Sequence, residues 1–184
     1  MQTNLKRLHI LEVATALFGQ YGYHAVGVDW IYKEAKISKK TLYKYFTSKE
    51  NLIIEVLSKR DEDCFISLNE TLAGVEEPLK KLELIFDWHH QWFNQQSFTG
   101  CLFTKAANEF PDKHEPIHKI VTQQKEKLIA RIENILKELL SVEKANNLAP
   151  VIMMFLDGAM LSAQVIENKN AAKEAWEAVK QLIQ

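Results

Sequence analysis

Residues 26–50 carry the pattern of two short helices joined by a tight turn. In the first helix, Val28, Ile31 and Ala35 recur at spacings of three and four residues and therefore share one apolar face. Ser38 is a favourable N-cap for the second helix, because its hydroxyl can accept a hydrogen bond from a backbone N–H group. These signals predict a compact helical unit near the N-terminus.

The second helix separates an apolar side from a side rich in cations, hydroxyls and rings. Leu42 and Phe46 lie four residues apart and are expected to point inward with Ile37. The outward-facing residues are Lys39, Lys40, Thr41, Tyr43, Lys44 and Tyr45. Such side chains suit contacts with phosphates and base edges in a major groove. The pattern indicates a DNA-binding helix-turn-helix, and the alternative is an ordinary solvated basic helix.

The residues around the second helix resemble a known family signature. Residues 41–52, TLYKYFTSKENL, resemble the TLYxYFxSKExL signature of the tetracycline-repressor (TetR) family. Residues 10–23 resemble the first helix of that family, so the match covers roughly the first 55 residues. The resemblance implies a dimeric one-component regulator. It would have an N-terminal three-helix DNA-binding domain and a helical C-terminal domain that holds a small effector.

Two parts of the chain depart from the family pattern. Lys36 and Lys40 stand where the family usually has glycines, and Val26-Gly27 stands where it usually has hydroxyl residues. Glycine can still cap a helix, so we expect the same fold with one phosphate contact fewer. A positive φ angle at Lys36 would be penalised, because this residue carries a side chain.

Charge is distributed unevenly along the chain. Residues 1–50 contain eight Lys and Arg residues against four Asp and Glu residues, a net charge of +4, and the remainder carries −5 of the overall −1. A basic N-terminal segment on an acidic body favours electrostatic steering onto a polyanion. Within this segment we also expect Lys6 and Lys49 to contact the DNA backbone.

The rest of the sequence predicts an all-α body. Glycine and proline separate its helical segments, and the alternating runs and hairpin signals of sheets are missing from the sequence. We expect helices at about residues 4–21, 48–72, 78–95, 101–109, 115–140, 144–168 and 171–183. Pro150 marks either the first turn of its helix or a kink. The predicted domains are a helix-turn-helix domain at residues 1–47 and a helical effector-binding and dimerisation domain at residues 48–184.

Composition and cysteine usage point to a cytoplasmic protein. The 184 residues are 47% hydrophobic and 26% charged, as in soluble globular domains. The N-terminus lacks the pattern of a secretory signal, and the longest apolar run, residues 151–156, is too short to cross a bilayer. Cys64 and Cys101 have no paired spacing, which fits reduced thiols.

Residues 84–93, LIFDWHHQWF, are unusually aromatic and suggest a ligand pocket. Ligand sites are mostly apolar with a few polar anchors, and the family resemblance implies a cavity among these helices. The predicted lining residues are Trp88, His89, Trp92, Phe93, Cys101, Phe103 and Phe110. The alternative is that these side chains are simple core, and that the protein is an architectural DNA-binding protein without an effector.

The last two predicted helices carry apolar faces that could meet a second subunit. The family resemblance implies a homodimer formed through these helices. The predicted interface residues are Ile152, Phe155, Ala159, Ala163, Trp176 and Val179. The alternative is that both faces pack on their own body.

Catalytic and metal-binding patterns are weak in this sequence. His114 and His118 lie four residues apart, but the sequence does not place a third metal ligand. Cys101 lies in an apolar run without an orienting partner for nucleophilic catalysis. We therefore predict no enzyme activity, no cofactor and no metal site. The predicted function is that of a cytoplasmic homodimeric repressor that a small molecule releases from double-stranded operator DNA.

Overall fold

A computed structural model of the protein describes residues 2–183, with side chains described from residue 5 onward. Over that range the chain forms nine α-helices and no β-strand. They are α1 (Gln2–Tyr21), α2 (Val28–Glu34), α3 (Lys39–Tyr45), α4 (Lys49–Leu72), α5 (Pro78–Phe93), α6 (Leu102–Glu109), α7 (Pro116–Leu136), α8 (Val142–Val165) and α9 (Ala171–Ile183). The predicted all-α fold class is confirmed.

Local capping explains where the helices of the body begin and end. Helix α7 stops at Leu136, four residues before the predicted end, because turn-type hydrogen bonds replace the helical ones there. Helix α8 begins at Val142, earlier than predicted, since the Ser141 side chain accepts a hydrogen bond from the backbone N–H of Lys144 at 3.3 Å. Pro150 consequently lies in the interior of α8 and not in its first turn.

The chain divides into two compact units. The first comprises residues 1–62 and 101–123, and the second comprises residues 63–100 and 124–184. Helices α1 to α3 therefore share a unit with α6 and the start of α7, and α4 contributes to both units. The predicted domain boundary after residue 47 stays a prediction.

The core of the first unit is built around α1. Phe18 and Tyr23 are fully buried there, and their rings pack at 4.9 Å between centroids. Other buried core residues are Ile10, Leu11, Ala14, Ile31, Leu42, Phe46, Leu52, Ile53, Val56, Leu57, Phe103 and Ala106. Each large apolar side chain buried here contributes about 1.5 to 3 kcal/mol, so packing holds the two short helices α2 and α3 in place.

The core of the second unit is shared by α5, α7, α8 and α9. Phe86 of α5 packs on Trp176 of α9 with ring centroids 5.4 Å apart. The other buried contributors include Leu82, Ile85, Ile132, Ile135, Leu136, Ile152, Met153, Leu156 and Val179. By length and composition alone, α8 is apolar enough to cross a membrane. The residues on one side of α8 nevertheless pack in this core, so α8 is a core helix of the second unit.

Candidate nucleic-acid interface and ligand site

The turn between α2 and α3 is closed by backbone hydrogen bonds typical of a Schellman motif. The N–H of Ile37 donates to the carbonyl of Tyr32 at 3.0 Å, and that of Lys36 donates to Lys33 at 3.0 Å. This geometry places Lys36 at φ 54°, the left-handed conformation that glycine adopts most readily. The expected strain at Lys36 is therefore present in the structure, at a cost of about 1 to 2 kcal/mol.

Helix α3 is capped as the sequence predicts and is fixed by two buried side chains. The Ser38 hydroxyl accepts a hydrogen bond from the backbone N–H of Thr41 at 3.1 Å and lies 2.8 Å from the Thr41 hydroxyl. Leu42 and Phe46 are fully buried beneath the helix. The cap and the buried pair fix the orientation of the opposite face, so its side chains present a defined surface.

The exposed residues of α3, here called the α3 cationic face, are Lys39, Lys40, Tyr43 and Lys44. Lys39 donates a hydrogen bond to Asp29 of α2 at 3.0 Å, and this carboxylate raises the pKa of Lys39. Lys40, Tyr43 and Lys44 extend the face along the helix. These four residues place three cations and a phenol on the exposed side of α3. Such groups are of the kind that contact phosphates and base edges.

The other predicted DNA contacts are placed differently. Lys6 is exposed, whereas Thr41, Tyr45 and Lys49 are half-buried, and Tyr45 packs against the core of the first unit. Lys49 lines a surface cleft of about 650 Å³ with His24 and Glu109 among its neighbours, and burial lowers the pKa of the Lys49 ammonium.

A set of contacts that the sequence did not reveal, the α6 clasp, ties α6 to the end of α1. The Glu109 carboxylate accepts hydrogen bonds from the backbone N–H groups of Tyr23 at 2.8 Å and His24 at 2.6 Å. The buried phenol of Tyr23 donates to the Leu102 carbonyl at 3.0 Å, and burial raises the pKa of this phenol. The Lys105 ammonium donates to the carbonyl of Gly19 near the end of α1. The clasp therefore fixes the α1–α2 connection onto α6.

The predicted ligand residues on α5 form an aromatic group in the second unit, completed by a residue that the sequence did not single out. This α5 aromatic cluster consists of Trp88, His89, Trp92, Phe93 and Phe98. The His89 ring lies 4.9 Å from that of Trp88, and Trp92 meets Phe98 edge-on at 5.2 Å. Trp88 and Trp92 are half-buried, so their rings are accessible in part. The Trp88 indole N–H donates to the Ser67 hydroxyl at 3.0 Å.

The remaining predicted pocket residues lie in the first unit. Phe103 is buried in its core, and Cys101 and Phe110 are half-buried against that core. The structure thus brings four of the seven predicted residues together on α5 and places three in another unit. A single pocket formed by all seven stays a prediction.

His89 is enclosed by its neighbours and cannot easily become charged. Its Nδ1 atom lies 2.8 Å from the Ile85 carbonyl oxygen, which can only accept, so Nδ1 carries the proton. Burial lowers the pKa of His89 to about 4. The imidazole is therefore neutral through the physiological pH range.

We expect this buried histidine to make the protein less stable in acid. Because the pKa of His89 is about 4 in the folded chain and about 6.5 when unfolded, its effect begins as the pH falls below about 6.5 and levels off near 4. Between pH 7 and pH 4.5, His89 should remove about 2 to 3 kcal/mol of the free energy of unfolding. Urea titrations of the parent and His89→Gln at both pH values measure this difference.

The exposed His114 provides the matched control for that measurement. His114→Gln should retain the full pH dependence of the parent, whereas His89→Gln should lose the part that His89 contributes. If the two variants respond to pH alike, His89 does not resist protonation in the folded protein.

The predicted interface side chains on α8 and α9 face the core of their own unit. Ile152, Trp176 and Val179 are buried in that core, Phe155 is half-buried against it, and Ala159 and Ala163 are also buried within the chain. The exposed apolar side chains at this end of the chain are Met154, Leu161, Val165, Ile166 and Leu182. Buried side chains cannot form a subunit contact without unpacking, so an interface on α8 and α9 would use this second set.

Within the side chains described, residues 5–183, no group of three or more His, Cys, Asp or Glu residues is arranged to hold a metal ion. His118 has its Nδ1 atom 2.9 Å from the Phe110 carbonyl oxygen, and His114 is exposed.

Comparisons with known proteins match both halves of the chain. A family model described as bacterial regulatory proteins of the tetR family matches residues 10–56, and one described as a tetracyclin repressor-like C-terminal domain matches residues 78–179. The HTH-type transcriptional regulator UidR of Escherichia coli K12 is 29% identical over 132 residues, which are 67% of this chain and 67% of UidR. The HTH-type transcriptional regulator YxaF of Bacillus subtilis is 27% identical over 168 residues, 89% of this chain and 87% of YxaF.

Solved structures show the same fold. SCO4454, a TetR-family transcriptional regulator from Streptomyces coelicolor, superimposes with a TM-score of 0.92 at 22% identity. The superposition covers 97% of this chain and 94% of SCO4454. This likeness concerns only the arrangement of the helices. The membership of the chain in a family rests on the two family models.

Proposed function

Because this chain belongs to the TetR family of bacterial transcriptional regulators, and is therefore a DNA-binding regulator, we propose that it is a cytoplasmic homodimeric repressor. A small molecule bound in the second unit would release it from its operator. The observation that carries the DNA-binding part is the α3 cationic face, held outward by the Ser38 cap and the buried Leu42 and Phe46.

Different residues of the DNA-binding surface are assigned different roles in this proposal. Tyr43 and Lys44 are exposed in the C-terminal half of α3 and are assigned to base edges. Lys40 and Lys6 are exposed cations and are assigned to phosphates. Lys39 forms an ion pair with Asp29, so it would have to exchange this partner for a phosphate. The half-buried Thr41, Tyr45 and Lys49 are assigned secondary roles as supports or backbone contacts.

Replacing Lys44 by alanine should weaken DNA binding by about 1 to 3 kcal/mol and relax sequence preference at one base position. Lys40→Ala should weaken binding to all sequences alike and lower the salt slope by about one phosphate equivalent. Both effects can be measured by fluorescence anisotropy at several salt concentrations, with DNA sites enriched from a random pool.

An exposed lysine far along the chain serves as the control for these variants. Lys173 lies on α9 outside the first unit, so Lys173→Ala should leave affinity and salt slope unchanged. If Lys44→Ala and Lys40→Ala behave like Lys173→Ala, the α3 cationic face is not the DNA-binding surface.

The effector part of the proposal is supported by the α5 aromatic cluster and its position in the chain. Phe98 belongs to the cluster and lies only a few residues before α6 begins at Leu102. Helix α6 carries Lys105 and Glu109, which clasp the end of α1. A ligand that displaces Phe98 would therefore act on the segment leading into the clasp, and such coupling between sites is typically worth about 1 to 3 kcal/mol.

A further inference from the structure

The turn between α2 and α3 holds a lysine in a backbone conformation that costs free energy. Lys36 has a φ angle of 54°, and among the described residues Glu167 is the one other residue that has a positive φ angle and carries a side chain. Residues with a side chain avoid this region because their Cβ atom crowds the following carbonyl oxygen. At Lys36 the conformation is imposed by the two backbone hydrogen bonds that close the turn.

The fold does not need the side chain of Lys36. Both hydrogen bonds of the turn use backbone atoms only, so a glycine at this position would form them at a lower cost. The Lys36 side chain is exposed, and its ammonium makes no hydrogen bond or ion pair with the described residues. Strained backbone positions cluster at functional sites, so we look for the use of this side chain outside the fold.

The position of Lys36 places it beside the nucleic-acid interface. Lys36 lies two residues before Ser38, the N-cap of α3. In a helix-turn-helix the second helix enters the major groove and the first crosses the DNA backbone. The turn that joins these helices therefore passes the edge of the groove, where the phosphates lie. A lysine binds a phosphate as a compact positive charge and needs no fixed geometry to do so.

The other charges around this turn leave Lys36 available. Lys39 is engaged with Asp29 at 3.0 Å. Glu34 is exposed near the end of α2 and forms no ion pair with Lys36. Lys36 and the exposed Lys40 can consequently meet phosphates on either side of the α3 N-cap without giving up a partner.

We propose that Lys36 binds a backbone phosphate of the operator, so that this residue lowers the stability of the fold and raises DNA affinity. The proposal rests on the proposed function, because it takes the α3 cationic face as the DNA-binding surface. A phosphate contact carries no sequence information, so Lys36 strengthens binding to all sequences alike. With a salt slope of about 0.9 for each phosphate, one contact contributes about 5-fold to affinity at about 0.15 M salt.

Three substitutions of Lys36 separate its charge from its backbone strain. Lys36→Gly removes both, so it should weaken DNA binding about 5-fold for each subunit and favour the folded state by about 2- to 10-fold, since the greater freedom of glycine in the unfolded chain offsets part of the relief. Lys36→Gln keeps a side chain, so it should weaken binding equally without the gain in stability. Lys36→Arg should match the parent in both respects.

Urea denaturation measures stability, and fluorescence anisotropy at several salt concentrations measures DNA binding. Each variant is titrated with a DNA site enriched from a random pool and with an unrelated duplex of equal length. Lys36→Gly and Lys36→Gln should lose about one phosphate equivalent of salt slope for each subunit on both duplexes.

Two positions in the second unit provide matched controls. Glu167 is exposed and has a φ angle of 57°, so Glu167→Gly relieves the same kind of strain and should leave DNA affinity unchanged. Lys173→Gln changes the net charge as Lys36→Gln does, and it should leave affinity, salt slope and stability unchanged.

The outcomes distinguish this inference from the proposed function. Parental affinity and salt slope in Lys36→Gln, a loss confined to the enriched site, or a Lys36→Gly variant no more stable than the parent each overturns the role of Lys36. If Lys40→Ala and Lys44→Ala weaken DNA binding and Lys36→Gln does not, the α3 cationic face stands and only the role of Lys36 fails. If all three behave like Lys173→Gln, the α3 cationic face is not the DNA-binding surface and both proposals fail.

Discussion

Replacing Leu161 by glutamate is expected to give a folded monomer whose affinity for a two-half-site operator falls by about 100-fold or more. Leu161 lies on α8 and is 57% exposed, in line with the exposed Met154, Gly158 and Val165. These positions recur at spacings of four, three and four residues, so they form one stripe on the helix. A continuous apolar stripe on the exposed side of a helix whose other side is buried is the kind of face that a second subunit covers.

The size of this effect follows from how a dimer holds DNA. In a dimer, two linked DNA-binding regions bind two half-sites together. The second contact then forms at a high effective concentration, which raises affinity by about 100- to 10,000-fold. A glutamate at Leu161 would be buried without a counter-charge in the dimer, and this desolvation opposes association. The same glutamate in a monomer faces water, so the fold should tolerate it.

Sedimentation velocity and DNA binding together test this interface. Leu139→Glu, another exposed apolar position lying between α7 and α8, is the matched control and should remain a dimer with full operator affinity. A dimer that survives Leu161→Glu would mean that subunits associate through another surface.

The two faces of α8 explain why the sequence alone did not identify this stripe. Ile152, Ala159 and Ala163 form one apolar face, and Met154 and Leu161 form another. Hydrophobic periodicity shows that both faces of α8 are apolar, but it does not show which of them packs within its own chain. Only the positions of α5 and α9 settle that Ile152 and its neighbours are intramolecular.

The α2–α3 segment was predictable because its determinants are local. The cap formed by Ser38, the inward pair Leu42 and Phe46, and the left-handed Lys36 all depend on residues within a few positions of each other. Short-range geometry of this kind can be derived from residue type and spacing.

The α6 clasp could not be predicted in the same way. Glu109 meets the backbone of Tyr23 and His24 across more than 80 positions of sequence. A backbone N–H group is present in every residue except proline, so the partner of Glu109 has no sequence signature. The positive φ angle of the neighbouring Gly22, by contrast, is the usual left-handed ending of a helix such as α1 and follows from local sequence.

Replacing Glu109 by alanine should destabilise the first unit by about 2 to 4 kcal/mol, since two charge-assisted hydrogen bonds are lost at once. The bond to Tyr23 is half-buried, so its N–H group would lose its partner in a place that water reaches poorly. Glu115 is an exposed carboxylate of the same unit, and Glu115→Ala should change stability by less than about 0.5 kcal/mol. Urea denaturation of both variants measures the difference.

Gly22 provides an independent way to disturb the same carboxylate. A Cβ atom at Gly22 would lie 2.8 Å from Oε1 of Glu109, and the residue has a φ angle of +85°. Gly22→Ala should therefore displace the carboxylate as well as strain the backbone. In the Glu109→Ala background only the backbone strain remains, so Gly22→Ala should cost less there than in the parent protein.

A double-mutant cycle of Gly22→Ala and Glu109→Ala measures the interaction free energy between the two positions. The interaction free energy should be about 1 kcal/mol or more, with the double variant more stable than the sum of the two losses implies. Additive losses would mean that the carboxylate moves aside at no cost, and that the contacts of Glu109 with Tyr23 and His24 do not hold the α1–α2 connection in place.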